Sequence, residues 1–250
     1  MAQFTNFLNI LPSPTIKIGG AGQDESDGGT QVGPGYASVK LTSDQKILKT
    51  RTNSGRYTAR SAAYQNWQIN ITYNPMTRSE FSPIYTFLLE KQGGLKPFYI
   101  SLPQYENPQD ATFASNGLVN SLLTTSLTNA GETKVLLRNG GYNHTTGGKP
   151  SPGDIFNISD PSDSNHKKVY MVTRVEDSVY YNESAVAIDE IVIHVTPPFA
   201  KNISSGSSFV FGQVFSSVGP LFKVVAKDQQ EYSLGTDNLY QFSLSLEEVQ

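Results

Sequence analysis

Two stretches of strict alternation constrain this 250-residue chain more than any other feature. Over residues 67–73, Trp67, Ile69, Ile71 and Tyr73 take one parity, and Gln68, Asn70 and Thr72 take the other. Over residues 240–246, Tyr240, Phe242, Leu244 and Leu246 alternate with Gln241, Ser243 and Ser245. Successive side chains of a strand point to opposite faces of the sheet. A period of two built from aromatic and β-branched residues is therefore the pattern of a half-buried antiparallel strand. The shared style of the two stretches, one early and one at the end of the chain, places both in one domain whose middle is interrupted.

A helix is expected just after the first strand. Phe81, Ile84, Tyr85, Leu88 and Leu89 form one apolar stripe at helical spacing. Two starts compete: Thr77 with Glu80 as a capping box, or Ser82 as cap with Pro83 at the first helical position. Gly93-Gly94 is the expected stop, giving a helix over about residues 78–92. The run Pro97-Phe98-Tyr99-Ile100-Ser101-Leu102 then reads as a second strand.

After Pro103 the composition changes. Residues 104–132 are polar and irregular, and short strands then return at 135–137, 155–158, 169–175, 191–195 and 209–211, separated by Pro/Gly/Asn/Asp turns. Short strands at this density predict a small β-barrel or sandwich. Its expected core is Ile155, Val169, Met171, Ile191 and Ile193. The organisation inferred is a mainly β outer domain, residues 1–103 and 212–250, with an inserted β module over 104–211.

Two segments are candidates for contact. Residues 36–60 read as two extended segments around the turn Asn53-Ser54-Gly55, and Lys46, Lys49, Arg51, Arg56 and Arg60 gather there without a single acid between them. Such a tip is either a solvated hairpin end or a loop that meets an acidic partner surface. Residues 19–35 contain seven glycines and the acids Asp24, Glu25 and Asp27. Glycine at this density makes ordering expensive, so a surface loop is expected that orders on assembly. Its acids could meet the basic tip of a neighbour or face a channel.

Much chemistry is not indicated. The net charge of −3 provides no basic field for tight nucleic-acid binding, and the absence of cysteine removes disulfides, thiol nucleophiles and Cys-ligated metals. His144, His166 and His194 are isolated in sequence, with no paired metal-ligand spacing. Asp154, Asp160 and Asp163 lack the spacing of a calcium loop. No Gly-x-Ser-x-Gly elbow occurs. The expectation is no enzyme, no cofactor and no metal. No secretory signal or membrane-length apolar run is visible, so the product is expected to be made in the cytoplasm without membrane insertion. The five Asn-x-Ser/Thr triplets are then chance matches.

The block Trp67-Gln68-Ile69-Asn70-Ile71-Thr72-Tyr73, followed by Glu80-Phe81, Phe87-Leu88, Gly93-Gly94 and Lys96-Pro97-Phe98, resembles the core of phage minor tail proteins of the distal tail and tail-tube-initiator (baseplate hub) class. The ending Tyr240-Gln241-Phe242-Ser243-Leu244-Ser245-Leu246-Glu247-Glu248-Val249 resembles the final strand of the same class. The resemblance implies a structural virion component: a ring of β-barrel subunits, often six, that continues the tail tube and joins it to tail tip or hub proteins. DNA would pass through it without specific binding. The alternative from the residues alone is a soluble carbohydrate- or host-receptor-binding β protein, with the inserted module as its binding part.

Overall fold

A computed structural model describes residues 9–12, 34–176, 187–212, 220–227 and 231–249, the side chains of 61–64 excepted. The elements in chain order are β1 (Tyr36–Arg51), β2 (Tyr57–Tyr73), α1 (Arg78–Glu90), β3 (Phe98–Ser101), α2 (Ala111–Ala114), β4 (Leu122–Thr124), β5 (Lys134–Arg138), β6 (Ile155–Ser159), β7 (Val169–Glu176), β8 (Glu190–Thr196), β9 (Ser208–Val210), β10 (Leu221–Ala226), β11 (Tyr232–Leu234) and β12 (Tyr240–Glu248). The protein is mainly β, with a closed barrel and a separate sheet. Its contacts divide it into two compact units. One comprises residues up to Asp44 with Asn66–Ile100 and Lys223–Val249; the other comprises Gln45–Gln65 and Ser101–Phe222.

The first unit is built on a sheet of order β1-β2-β12-β10-β3, with β11 added to β12. The two alternating stretches are direct neighbours: β2 and β12 are antiparallel, with Ile69 opposite Leu246 and Ile71 opposite Leu244. Trp67, Ile69, Ile71, Tyr73, Phe242, Leu244 and Leu246 are all buried, while Asn70, Thr72, Gln241 and Ser243 are exposed. The alternation thus marks one core face and one polar face. Helix α1 contributes Phe81, Ile84, Phe87 and Leu88 to the buried set.

Of the two possible helix starts, the earlier one forms. The Glu80 carboxylate accepts from the Thr77 backbone N–H at 2.8 Å and from its hydroxyl at 2.7 Å. These bonds satisfy donors at the exposed N-terminus, which the later start would leave in the preceding loop. Pro83 therefore sits inside the helix. Past the helix, an added Cβ at Gly94 would lie 2.9 Å from the Ala226 carbonyl oxygen of β10, so only glycine fits there without a shift.

In the second unit, β4-β5-β8-β7-β6-β9 close into a six-stranded barrel. Every neighbouring pair is antiparallel, and Leu122 opposite Phe209 joins the first strand of the circle to the last. Phe156, Ile158, Tyr170, Val172, Ile191, Ile193 and Phe209 belong to the barrel's apolar core. Two of the five residues expected in the core are found there. Ile191 and Ile193 lie in this cluster, but Ile155 and Val169 are buried outside it and Met171 is half-buried. The physical reason is that β6 and β7 carry apolar residues on both faces at Ile155-Phe156 and Val169-Tyr170. Alternation there does not say which parity is inside. Residues 104–132, expected to be irregular, also form α2 and β4. Asp110 caps α2, accepting from the Thr112 and Phe113 backbone N–H groups.

Candidate assembly interface

β1 and β2 continue as a two-stranded arm. Every residue from Gln45 to Arg60 is exposed. At about 3.3 Å per residue, the strand beyond Asp44 adds roughly 20 Å of ribbon. The tip is a tight turn: Thr52 N–H donates to the Arg56 carbonyl at 3.0 Å, and Gly55 N–H donates to the Thr52 carbonyl at 2.8 Å. Gly55 has φ 79°, the left-handed conformation that places glycine in three-residue hairpin loops. The Thr52 hydroxyl also accepts from Arg56 N–H at 3.1 Å.

The five basic residues are brought together on this ribbon. Lys46, Lys49 and Arg51 lie on β1, Arg56 ends the turn, and Arg60 lies on β2. Beside them Ile47, Leu48 and Tyr57 are 42%, 71% and 55% exposed. The arm thus offers cations and apolar surface together. At its base the sole acid of β1, Asp44, accepts from Gln68 Nε2 at 3.0 Å. Asp24, Glu25 and Asp27 lie outside the described residues. β1 ends the sheet, with a strand neighbour only on its β2 side among the described residues.

The outer face of the barrel holds a cluster that sequence reading missed. Lys134 stands opposite His194, which stands opposite Arg174, a row across β5, β8 and β7. A bulge between Val172 and Arg174 resets the parity of β7, so Arg174 and Glu176 both leave the core face. The buried Glu176 carboxylate receives His194 Nε2 at 2.6 Å and Arg174 Nη2 at 2.5 Å, with Lys134 Nζ 3.4 Å away. Burial pushes this carboxyl up, but the His194 hydrogen bond and the Lys134 charge outweigh it and hold it below the usual glutamate range. No sequence signal joins these residues, because the row exists only through strand register.

The other isolated histidines are buried. His144 Nδ1 lies 3.1 Å from the Glu190 carbonyl, and His166 Nε2 lies 2.8 Å from the Tyr170 hydroxyl. The aspartates are loop fasteners. Asp154 accepts from the Gln109 and Ser151 N–H groups, Asp160 from Ser162 and Ser204, and Asp163 from Asn165 and the Lys201 ammonium. Among the described residues, no group of three His, Asp or Glu side chains is placed to hold a metal ion, and no helix is long and apolar enough to cross a membrane.

No protein-family model matches the chain. Over 146 residues it is 29% identical to the distal tail protein pb9 of Escherichia phage T5. The match covers 58% of this chain and 64% of that protein, so the chain spans just under two thirds of the relative's length. The resemblance to the phage distal tail class is borne out by this similarity.

Proposed function

We propose that the protein is a structural component of a phage virion, a ring former at the distal end of the tail that continues the tube and joins it to tip or hub proteins. The similarity to a distal tail protein supports the tail assignment. The observation that carries the interface is the arm, exposed along its whole length from Gln45 to Arg60. A two-stranded ribbon is marginal in water by itself. It gains a reason to persist when a neighbour covers its apolar residues and its basic rim meets acids.

In this reading Lys46, Lys49, Arg51, Arg56 and Arg60 form the inter-subunit contact. The edge strand β1 is sheltered when subunits close into a ring, and the ring number is proposed as six. The acids Asp24, Glu25 and Asp27 belong to a loop that either meets that contact or faces the channel. The side chains Asn70, Thr72, Gln241 and Ser243 bring no charge to the outward face of β2 and β12, in keeping with a chain of net charge −3 past which DNA slides without being held. The outer domain, 1–103 with 212–250, is proposed as the ring-forming part, and 104–211 as an inserted module. The role is structural and needs no cofactor.

The test is a triple reversal, Arg51→Glu, Arg56→Glu and Arg60→Glu. Wild-type protein should form rings in negative-stain micrographs, alone or on a tail partner. The variant should stay monomeric with an unchanged circular dichroism spectrum. Rings of normal yield from the variant would return the arm to a solvated hairpin.

A further inference from the structure

The first unit exposes an aromatic face that the arguments above leave unused. Phe81 of α1 is buried, with Tyr240 stacked on it at 4.6 Å between ring centroids and 12° between planes. Tyr232 of β11 lies 5.2 Å from Tyr85 and 5.6 Å from Tyr240, closing a continuous patch of three tyrosines. Tyr232 remains 49% exposed, and Leu234, which pairs with Tyr240 across β11 and β12, is 54% exposed. Glu231 precedes this face, and Asp237 stands in the β11–β12 turn; both are exposed. Of the acids at β11, β12 and their turn, Glu231 and Asp237 are the exposed ones among the described residues.

The arm is the complement of this face. From Lys46 to Arg60 it has five basic residues and no acid. Guanidinium groups stack on tyrosine rings and pair with carboxylates in the same contact, and Leu48 and Tyr57 supply apolar surface. We infer that the arm of one copy seats on the tyrosine face of another, with Arg51 and Arg56 over Tyr85, Tyr232 and Tyr240, and Glu231 and Asp237 as their charge partners. This contact rests on the ring-forming reading and names the partner of its basic tip. It is heterologous, arm to face, so each copy uses both surfaces and successive copies can close a ring.

Sedimentation equilibrium on the full chain tests it, with circular dichroism and melting temperature confirming that each variant is folded. Tyr232→Ala should weaken self-association about threefold, the size of one exposed cation–π contact. Glu231→Lys with Asp237→Lys should weaken it about tenfold, as should Arg51→Glu with Arg56→Glu, from several rim charge pairs. Combining the two reversals should restore association to within about threefold of wild type, because re-paired charges recover their coupling. If the arm reversal weakens association while Tyr232→Ala and the acid reversal leave it unchanged, the arm docks elsewhere; this contact is overturned and the ring-forming reading stands. Weakening by both reversals without recovery in the combination also overturns it. A wild-type chain that stays monomeric at the highest soluble concentration, alone and on tails, overturns both.

Discussion

The backbone N–H of Trp67 donates to the Glu248 carboxylate at 3.3 Å, across 181 residues of sequence. The bond ties the middle of β2 to the last residue of β12, and both residues are buried, at 4% and 1% exposure. It extends the register in which Gln68 stands opposite Glu247. The first unit is closed by its two chain-distant strands, so its stability depends on both.

Trp67→Ala is expected to cost about 3–5 kcal/mol, the usual range for deleting a buried aromatic side chain. Glu248→Ala should cost about 1–3 kcal/mol, because a buried donor loses its acceptor. Urea unfolding followed by far-ultraviolet circular dichroism measures both. The double variant should lose less than the sum, since the two residues share a contact. A Trp67→Ala loss under about 1 kcal/mol would contradict the burial.

Gly94→Ala should destabilise the protein by about 1–3 kcal/mol, as overpacking does when the obstacle is backbone. The new Cβ would meet the Ala226 carbonyl at 2.9 Å. Gly117→Ala is the control, because nothing lies within 4 Å of its Cβ position. Equal midpoints for the two variants would remove the close approach as an explanation.

Stability should fall on acidification below about pH 6.5, the ordinary histidine value. Burial pushes the His166 imidazole below that value, assisted by the Lys201 charge and opposed in part by Asp163 and Asp160. The unfolded chain then binds a proton that the folded chain does not, so stability is full above the ordinary value and declines until the lowered folded value is passed. Melting temperatures between pH 7.5 and 5.5 should show this slope, and His166→Gln should flatten it. An undiminished slope in that variant would assign it to another group.

Glu176→Gln should lower stability by about 1–3 kcal/mol at neutral pH, since Arg174, His194 and Lys134 lose the charge they share. The lowered Glu176 pKa means its contribution is fully present above the ordinary glutamate value and is lost as pH falls through the folded one. The variant should therefore lose part of the wild type's acid-side decline below about pH 4.5. Identical profiles for the two proteins would show that the cluster contributes nothing to stability.

The alternation at 67–73 and 240–246 determined the two central strands and their core faces, because each has one apolar parity and period two is legible without neighbours. The spacing of Phe81, Ile84 and Leu88 determined the helix, although Leu89 of the same expected stripe is exposed and Phe87 is buried in its place; Asn53-Ser54-Gly55 determined the tip of the arm, because turn geometry is local. Two local signals competed for the helix start, and the Thr77–Glu80 pair prevailed, its bonds formed within one turn at an end left open to solvent. Local signals could not decide which parity of β6 and β7 is inside, because both are apolar and only closure of the barrel selects Phe156 and Tyr170. α2 and β4 are too short for a period to show. The Lys134, His194, Arg174 and Glu176 cluster, and the tyrosine face that joins α1 to the β11–β12 hairpin, were invisible for one reason: each needs at least one element distant in the chain from the rest. Cross-strand register and a bulge are tertiary facts, set by how elements pair and not by any window of sequence.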